Sequence, residues 1–259
     1  MPDFNIQKWY LDCTGSEGAA FIGYVAILKW KSITLSYSSI VDFDGEQPHY
    51  STSVTNVLPP VISDNSVVWK SDSLSCVGEW ISKGIEIDKQ RLYGCDEGYI
   101  DWHAVAPLND VRIDRSGAAA NHSGLGYIEK LELTIEPWKL PIDTLIWGRF
   151  VSNEISILWI RWIGEYPKQS LYVNGIEVEG ASISENGIDW NNGMLRYLKS
   201  SVLREGSLIN TALKKVPGVS FLFPEKILLM YETKWLSHTE VRVDGVPYKG
   251  RSIHEMVRF

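Results

Sequence analysis

Apolar and polar side chains alternate with a period of two in short runs separated by glycine, proline and asparagine. Successive side chains of a strand point to opposite faces, so this pattern predicts half-buried β-strands. The run FIGYVAILKWKSITLSY, residues 21–37, predicts two strands that break near Lys31–Ser32. Asn174–Gly175, between YV and IEVEG, is a strong hairpin signal. Short strands with regular turns predict an all-β chain of barrels or sandwiches.

The same rule places the remaining elements. Predicted strands are Val67–Leu74, Glu79–Ile87, Gln90–Tyr93, Glu97–Ala104, Asp110–Asp114, Tyr127–Ile135, Thr144–Val151, Ile155–Ile163, Gln169–Val173, Glu177–Glu179, Leu195–Leu203, Lys226–Leu236 and Ser252–Phe259. Glu79–Ile87 and Gln90–Tyr93 are expected to form a hairpin around Asp88. Ser207–Ala212 fits either a short helix or a strand.

The best internal break is RSGAAANHSGLG, residues 115–126, because glycine, alanine, serine and asparagine interrupt the alternation there. Both sides of the break contain strand-rich stretches of similar length. We therefore predict two similar β-domains, residues 1–120 and 121–259.

Charge and composition exclude several classes of protein. A net charge of −7 with a pI near 5.3 argues against nucleic-acid binding and against anionic membrane surfaces. The opening MPDFNIQKWYLD has no apolar signal core, and no run reaches the roughly 18 apolar residues of a membrane span. Three cysteines without metal-ligand spacing suggest reduced, buried thiols. These features predict a cytoplasmic protein.

The 11 tryptophans indicate either packed sheet faces or a cavity lined by flat apolar surfaces. In the segment 127–133, Tyr127, Glu129 and two leucines share one face, and the opposite, mostly polar face is expected to point to water. In the segment 145–149, Trp147 and Arg149 share a face. If these two strands pair, Glu129 and Arg149 can face each other. They form either a buried structural ion pair or an acid held in an aromatic pocket.

Several motifs resemble the carotenoid 1,2-hydratase (hydroxyneurosporene synthase) and AttH-like family of lipocalin-type proteins. The most specific is GLGYIEKLELTIEPWKLPIDTLIWGRF, residues 124–150, with its G-Y-x-E and W-G-R elements. KWYLD near the start, YIDWHAVAP in the middle, and YETKWLSH and SIHEMVRF further on resemble other parts of the family. The resemblance therefore touches both ends and the middle of the chain.

This resemblance implies two lipocalin-like antiparallel β-barrel domains packed together, with a hydrophobic pocket. It also implies chemistry without a cofactor, such as the hydration of an isoprenoid double bond or a cycloaddition. The sequence departs from the hydratase pattern at Ile128, where hydratases tend to have histidine, and at Glu129, where they have aspartate. Hydration, cyclisation or isomerisation of another small lipophile, terpenoid or polyketide-like, is therefore expected rather than carotenoid hydration.

Glu129 is the predicted general acid/base or substrate-orienting group. Burial in an apolar pocket raises the pKa of a carboxyl group, which lets it take part in proton transfer at neutral pH. Arg149 is expected to recognise a carbonyl or enolate oxygen of the substrate, and Tyr127 completes the catalytic set. The predicted substrate-binding residues are Trp147, Trp102, Trp235, Trp9, Tyr10, Trp159 and His254. For these aromatic residues, packing in a core or closing a barrel is the competing interpretation.

No metal or cofactor site is predicted. The five histidines lack H-x-H or H-x-x-x-H spacing, and the nucleophile-elbow, Walker and dinucleotide motifs are absent. His254 and Glu255 are adjacent and should lie on opposite faces of a strand. The expected partner is a small lipophilic molecule, and the oligomeric state stays open. The alternative function is a non-catalytic carrier, since barrels with internal cavities bind ligands without chemistry.

Overall fold

The structure, a computed structural model, describes residues 4–15, 18–116, 121–207 and 224–259. The chain divides into two compact units, Met1–Lys139 and Leu140–Phe259. In the described residues, each unit is built on one antiparallel sheet that curls, one of them as a half-barrel. The predicted all-β class with two lipocalin-like domains is confirmed.

The first unit has ten strands in its described part. They are β1 (Phe4–Thr14), β2 (Ala20–Trp30), β3 (Ile33–Phe43), β4 (Pro48–Ser53), β5 (Val61–Ile62), β6 (Ser66–Ser71), β7 (Cys76–Ser82), β8 (Gln90–Cys95), β9 (Gly98–Arg115) and β10 (His122–Leu133). Two 3₁₀ turns lie at Asp72–Leu74 and Pro137–Lys139. The strand order is β4-β3-β2-β1-β10-β9-β7-β6-β5, and β8 pairs with β9 outside this path.

The second unit has nine strands and one short helix among its described residues. They are β11 (Ile142–Val151), β12 (Ser156–Gly164), β13 (Lys168–Val173), β14 (Ile176–Glu177), β15 (Ser182–Ser184), β16 (Gly187–Trp190), β17 (Gly193–Ser207), α1 (Glu225–Leu228), β18 (Tyr231–Val243) and β19 (Val246–Arg258). The strand order is β14-β13-β12-β11-β19-β18-β17-β16-β15. Apart from β8, the two sheets therefore have the same connectivity.

The boundary between the units lies further along the chain than the predicted position at residue 120. Strand β10 pairs with β1 and β9, so it belongs to the first sheet. The glycine-rich stretch at residues 115–126 joins β9 to β10 within this unit, although residues 117–120 lie outside the described part. Breaks in alternation mark turns, and a turn inside a hairpin resembles a domain linker in sequence.

The predicted hairpin around Asp88 is wrong. Both β7 and β8 pair with β9, at residues 109–115 and 98–102 of that strand respectively. Strand β9 is continuous where two strands were predicted, and Pro107 lies in the interval without a partner strand on that edge. Proline is tolerated there because it has no N–H to contribute to a ladder.

Other local predictions have mixed outcomes. The break at Lys31 is confirmed, and this residue has a positive φ of 53°. The Asn174–Gly175 turn is confirmed, with φ of 51° and 81°. The segment predicted as a strand from Lys226 begins instead in the short helix α1. Of the segment Ser207–Ala212, Ser207 ends β17 and the rest lies outside the described residues.

Each unit buries one face of its sheet as an apolar core, and glycines make room for the tryptophans there. The first core includes Trp9, Leu11, Phe21, Val25, Ile40, Trp69, Trp80, Ile113 and Ile128. The second includes Ile146, Phe150, Ile157, Trp159, Leu171, Ile183, Trp190, Leu195 and Val241. A Cβ on Gly78 would lie 2.5 Å from the Trp80 ring, and one on Gly148 would collide with the Trp159 ring.

Two further findings bear on the predicted cellular setting. Among the described residues, no helix combines the length and apolar character needed to span a bilayer. All three cysteines are free thiols, and Cys95 is exposed, which corrects the expectation that all of them are buried. The cytoplasmic location stays a prediction.

Candidate functional site

Strand β10 is irregular where it carries Tyr127 and Glu129. Its register with β9 shifts between Gly126 and Ile128. At this bulge the Tyr127 N–H donates to the buried Asp12 carboxylate at 3.1 Å instead of to a strand partner. Only glycine fits at 126, because a Cβ there would overlap the Asp12 carbonyl oxygen. Asp12 and Gly126 thus fix the backbone that presents Glu129.

The Glu129 carboxylate receives two aromatic hydrogen-bond donors. Trp102 Nε1 donates to Glu129 Oε2 at 2.5 Å, and the Tyr127 hydroxyl donates to the same oxygen at 2.9 Å. Tyr127 and Trp102 are buried, and Glu129 is half-buried. The sequence pattern therefore correctly placed Tyr127 and Glu129 on one face of β10, and the structure adds Trp102 from β9.

More aromatic rings surround this carboxylate. Tyr10 lies directly across the ladder from Glu129 and from Tyr24. Its ring centroid is 6.1 Å from that of Tyr127 and 5.5 Å from that of Tyr24. The Lys8 ammonium lies 5.4 Å from the Tyr24 ring centroid. The result is a carboxylate set among buried aromatic side chains on the face of the sheet opposite the core.

Burial raises the pKa of Tyr127 well above its usual value, and the neighbouring Glu129 carboxylate raises it further. A neutral phenol is the form that can donate to Glu129. Hydrogen bonds donated to a carboxylate favour its ionised form. The geometry therefore suits a proton acceptor better than the neutral acid that alkene protonation would require.

The structure places Trp9 and Ile128 on the opposite side of the sheet from Glu129. Both residues pack in the core of the first unit, and the Lys130 ammonium lies 5.6 Å from the Trp9 ring centroid. The prediction that the Ile128 face of β10 points to water is wrong, because that face meets the core along part of its length. Trp9 therefore packs in a core, which was the alternative to its predicted role in substrate binding.

Arg149 and Trp147 lie on β11 in the second unit. The predicted pairing of their strand with that of Glu129 is wrong, since β10 lies between β1 and β9 whereas β11 lies between β12 and β19. Arg149 is fully buried and donates from Nη1 to the Arg251 carbonyl oxygen at 3.0 Å. The Glu129–Arg149 ion pair stays a prediction.

A buried charge cluster lies near Trp147 and was missed in the sequence. Lys234 is almost fully buried and forms an ion pair with Glu255, and its ammonium lies 5.3 Å from the Trp147 ring centroid. Glu232 Oε1 lies 3.8 Å from the same ammonium, and Glu232 Oε2 lies 3.6 Å from Arg204. The only sequence signal was a lysine alternating with apolar residues in TKWLSH.

His254 and Trp235 come together on the core side of the second sheet. The His254 ring stacks on Tyr197 at 3.9 Å and on Trp235 at 5.1 Å between centroids. His254 Nε2 lies 2.8 Å from the Ser237 hydroxyl, which lies 2.6 Å from the exposed Ser200 hydroxyl. Burial, with help from Lys234, lowers the pKa of His254 from 6.5 to about 3.

Trp159 lies in the same core, opposite Gly148 on the ladder. As predicted, His254 and Glu255 face opposite sides of β19. Apart from Trp9, which packs in the first core, the predicted site residues thus fall into three groups. Glu129, Tyr127, Trp102 and Tyr10 lie together in the first unit, Arg149 and Trp147 lie on one face of the second sheet, and His254, Trp235 and Trp159 lie on its other face. The described residues contain no group of three histidine, cysteine or acidic side chains arranged for a metal.

Comparisons with known proteins bear on the fold. No family model matches the chain, and no curated protein matches it. Among solved structures, a protein assigned as an AttH from Nitrosomonas europaea superposes with a TM-score of 0.60 at 10% identity, over 99% of this chain and 93% of that chain. The chain has the fold of this protein.

Two other solved structures agree with this. Kievitone hydratase from Nectria haematococca superposes with a TM-score of 0.56, and CghA, in a structure with Sch210972, with 0.53. Each is 10% identical and matches 98% of this chain and 88% of its own. The resemblance noted in the sequence is therefore confirmed at the level of the fold.

Proposed function

We propose that this protein is a cofactor-independent enzyme for a small lipophilic substrate, terpenoid or polyketide-like, and that Glu129 is its proton acceptor. The observation that carries the proposal is the convergence of Trp102 Nε1 and the Tyr127 hydroxyl on Glu129 Oε2. A carboxylate with a purely structural role could be paired equally well with a lysine or an arginine. Two aromatic donors instead hold the half-buried carboxylate among apolar rings.

The two donors also determine the direction of proton transfer. Both donors point to the carboxylate, an arrangement that suits Glu129 to accept a proton. Tyr127 keeps its own proton because its pKa is raised. Tyr127 and Trp102 therefore orient the base and are not themselves consumed in the reaction.

Three reactions fit a single base of this kind. In an isomerisation, Glu129 takes a proton from one carbon and returns it to another as the double bond moves. In a hydration, Glu129 takes a proton from water as the water oxygen bonds to carbon, and the same proton is then delivered to the neighbouring carbon. In a cyclisation, removal of a proton from the substrate generates the nucleophilic atom, and that proton is returned after the ring closes.

The structural neighbours support this type of chemistry. One of them is by name a kievitone hydratase, and CghA has been solved with the small molecule Sch210972. At 10% identity, the structural likeness supports the fold, and the reaction has to be inferred from the residues of this chain. Substrate contacts by Arg149, Trp147 and Trp235 of the second unit stay predictions from the sequence.

The experiment is a screen for carbon-bound deuterium. The protein is incubated in D₂O with a panel of terpenoid alkenes, prenylated phenols and linear polyketide mimics, and products are read by mass spectrometry. We expect at least one compound to gain deuterium or a new ring. Glu129→Gln should lower that rate by about 10²–10⁴-fold, and Tyr127→Phe and Trp102→Phe should lower it less.

Glu132→Gln is the matched control, because Glu132 is on the same strand but on the opposite face. It should retain the wild-type rate. Full activity in a folded Glu129→Gln variant would refute the assignment of the base. If every compound is bound and returned unchanged by the wild type, the protein is a carrier.

A further inference from the structure

A cleft lies on the core side of the first sheet, away from Glu129. Strand β9 pairs with β8 through residues 98–102 and with β7 through residues 109–115, so the edge between these stretches has no partner strand. The segment after β7 crosses this gap, with the N–H groups of Lys83 and Gly84 donating to the Leu108 carbonyl oxygen at 2.8 and 3.2 Å. Beside it opens a cleft of about 420 Å³, called here the Asn109 cleft.

The Asn109 cleft has an apolar floor. Its fully buried lining residues are Val67, Trp80 and Ala106, together with Asn109 itself. The Trp80 indole N–H donates to the Asp12 carbonyl oxygen at 2.7 Å, so the part of the ring that lines the cleft consists of carbon atoms. A ligand that reaches this floor must therefore have an apolar body.

Asn109 supplies one polar atom at this floor. Its Nδ2 donates to the carbonyl oxygens of Ala106 at 2.8 Å and Gly126 at 3.2 Å. These two acceptors fix the amide orientation, because a flipped amide would place two oxygens against Oδ1. Within the described residues, Asn109 Oδ1 is buried and has no hydrogen-bond partner. A buried acceptor of this kind requires a donor.

The rim of the cleft is mostly polar and includes the Asp64 carboxylate. Glu86 pairs with His103 at 2.8 Å, and Lys83 pairs with Asp110 at 3.1 Å. Ile62 lines the cleft and is 51% exposed, and Ile85, next to Glu86, is 68% exposed. A charged ligand would lose its hydration at the apolar floor without a partner of opposite charge.

We propose that the Asn109 cleft is a binding site for a small neutral lipophile with a hydroxyl group, an alcohol or phenol, whose O–H donates to Asn109 Oδ1. The ring or chain of the ligand lies against Trp80, Val67 and Ala106. This site is separate from the proposed catalytic carboxylate, since Asn109 shares its face of β9 with the core residues Val111 and Ile113. Binding of a ligand in the Asn109 cleft does not depend on the role of Glu129.

The test compares two probes that differ in one hydrogen-bond donor. Binding of 1-naphthol and of 1-methoxynaphthalene to the full chain is titrated by NMR, with the Trp80 indole N–H signal as the local readout. We expect 1-naphthol to bind about tenfold more tightly, because the methyl ether leaves Asn109 Oδ1 without a donor. In Asn109→Leu the two affinities should become equal.

Asn109→Leu also removes two backbone hydrogen bonds, so a second variant keeps the test decisive if it fails to fold. Ser66→Trp fills the cleft from its rim and should abolish the Trp80 response to both probes. Lys70→Trp adds the same side chain to the same strand outside the cleft and should leave binding unchanged.

The proposal is overturned by any of three results. These are equal affinities of the two probes for the wild type, an unchanged Trp80 response in Ser66→Trp, and no Trp80 response at about 1 mM probe.

Discussion

The first and second sheets share a strand order, but the faces opposite their cores carry different chemistry. In the first sheet, the central strands present the acids Asp12 and Glu129 among tyrosines and a tryptophan. In the second, the equivalent strands present Arg149 and the paired Lys234 beside Trp147. The connectivity depends on alternation along the core face, so the other face can differ between the units without changing the fold.

The cores differ as well. Around its central strands, the first core is mainly apolar, with Asn109 as a buried amide. Its charged group, Asp42 with Arg115 and His122, involves the outer ends of β3, β9 and β10. The second core places His254 and Ser237 on its central strands. Within the described part of the chain, the histidine stacked between two rings, His254, belongs to the second unit.

The strongest way to test the charge difference is to remove the buried cation of the second unit. Lys234→Met leaves Glu255 without its buried partner, and we expect a loss of about 3–5 kcal/mol in the free energy of unfolding. Urea unfolding measures the loss, and hydrogen exchange in peptides from β18 and β19 should locate it.

The double variant Lys234→Met with Glu255→Gln removes both charges and should recover much of the loss. If the double variant is as unstable as the single one, the ion pair is not the cause. Packing of the lysine side chain would then explain the effect.

A property that the units share should respond alike in both. Gly78→Ala places a methyl group against Trp80, and Gly148→Ala places one against Trp159. We expect each variant to lower the free energy of unfolding by about 1–3 kcal/mol, because overpacking displaces a buried ring.

Gly94→Ala is the control, because the nearest atom to its added methyl group would be Arg91 Nη1, at the end of a long side chain, at 3.3 Å. Adding Trp159→Phe to Gly148→Ala should reduce the penalty of the alanine. Equal stability of all the alanine variants would show that glycine is not needed beneath these rings.

The smallest expected effect concerns His254 and depends on pH. Its pKa is about 3 in the folded chain and near 6.5 when exposed, so below pH 6.5 the unfolded chain binds a proton that the folded chain does not. The free energy of unfolding of the wild type should therefore fall by about 2 kcal/mol between pH 6.5 and pH 5 because of this group.

His254→Phe preserves the stacked ring but removes the hydrogen-bond partner of Ser237, which should lower the free energy of unfolding by about 1 kcal/mol. The variant should be less stable than the wild type at pH 7 and more stable at pH 5, as measured by urea unfolding. Parallel stability curves for the two proteins would contradict the assignment of a buried neutral histidine.

Much of the fold was readable from alternation and turn residues. The strands on either side of Lys31 and the Asn174–Gly175 hairpin follow from local chemistry alone. The place of β10 in the first sheet does not, because it depends on pairing with β1, far away in sequence. The division at residues 115–126 was predicted wrongly for this reason.

The candidate site was predictable in part. Alternation placed Tyr127 and Glu129 on one face and Ile128 on the other, but it did not show that the Ile128 face meets the core. The indole donor of Trp102 and the buried acceptor of Asn109 depend on cross-strand register, which no local pattern encodes. Lys234 was missed because a lysine in a strand is usually exposed.

The pairing of first and late strands in each sheet also has a kinetic consequence. The hydrogen bond from Tyr127 to Asp12 joins residues 115 positions apart, and that from Arg149 to Arg251 joins residues 102 apart. Such long loops must close before the central ladders can form, which makes folding slow. On the ribosome, β1 and β11 each wait with an unpaired edge until β10 and β19 have been made, and in that interval each edge is a template for aggregation.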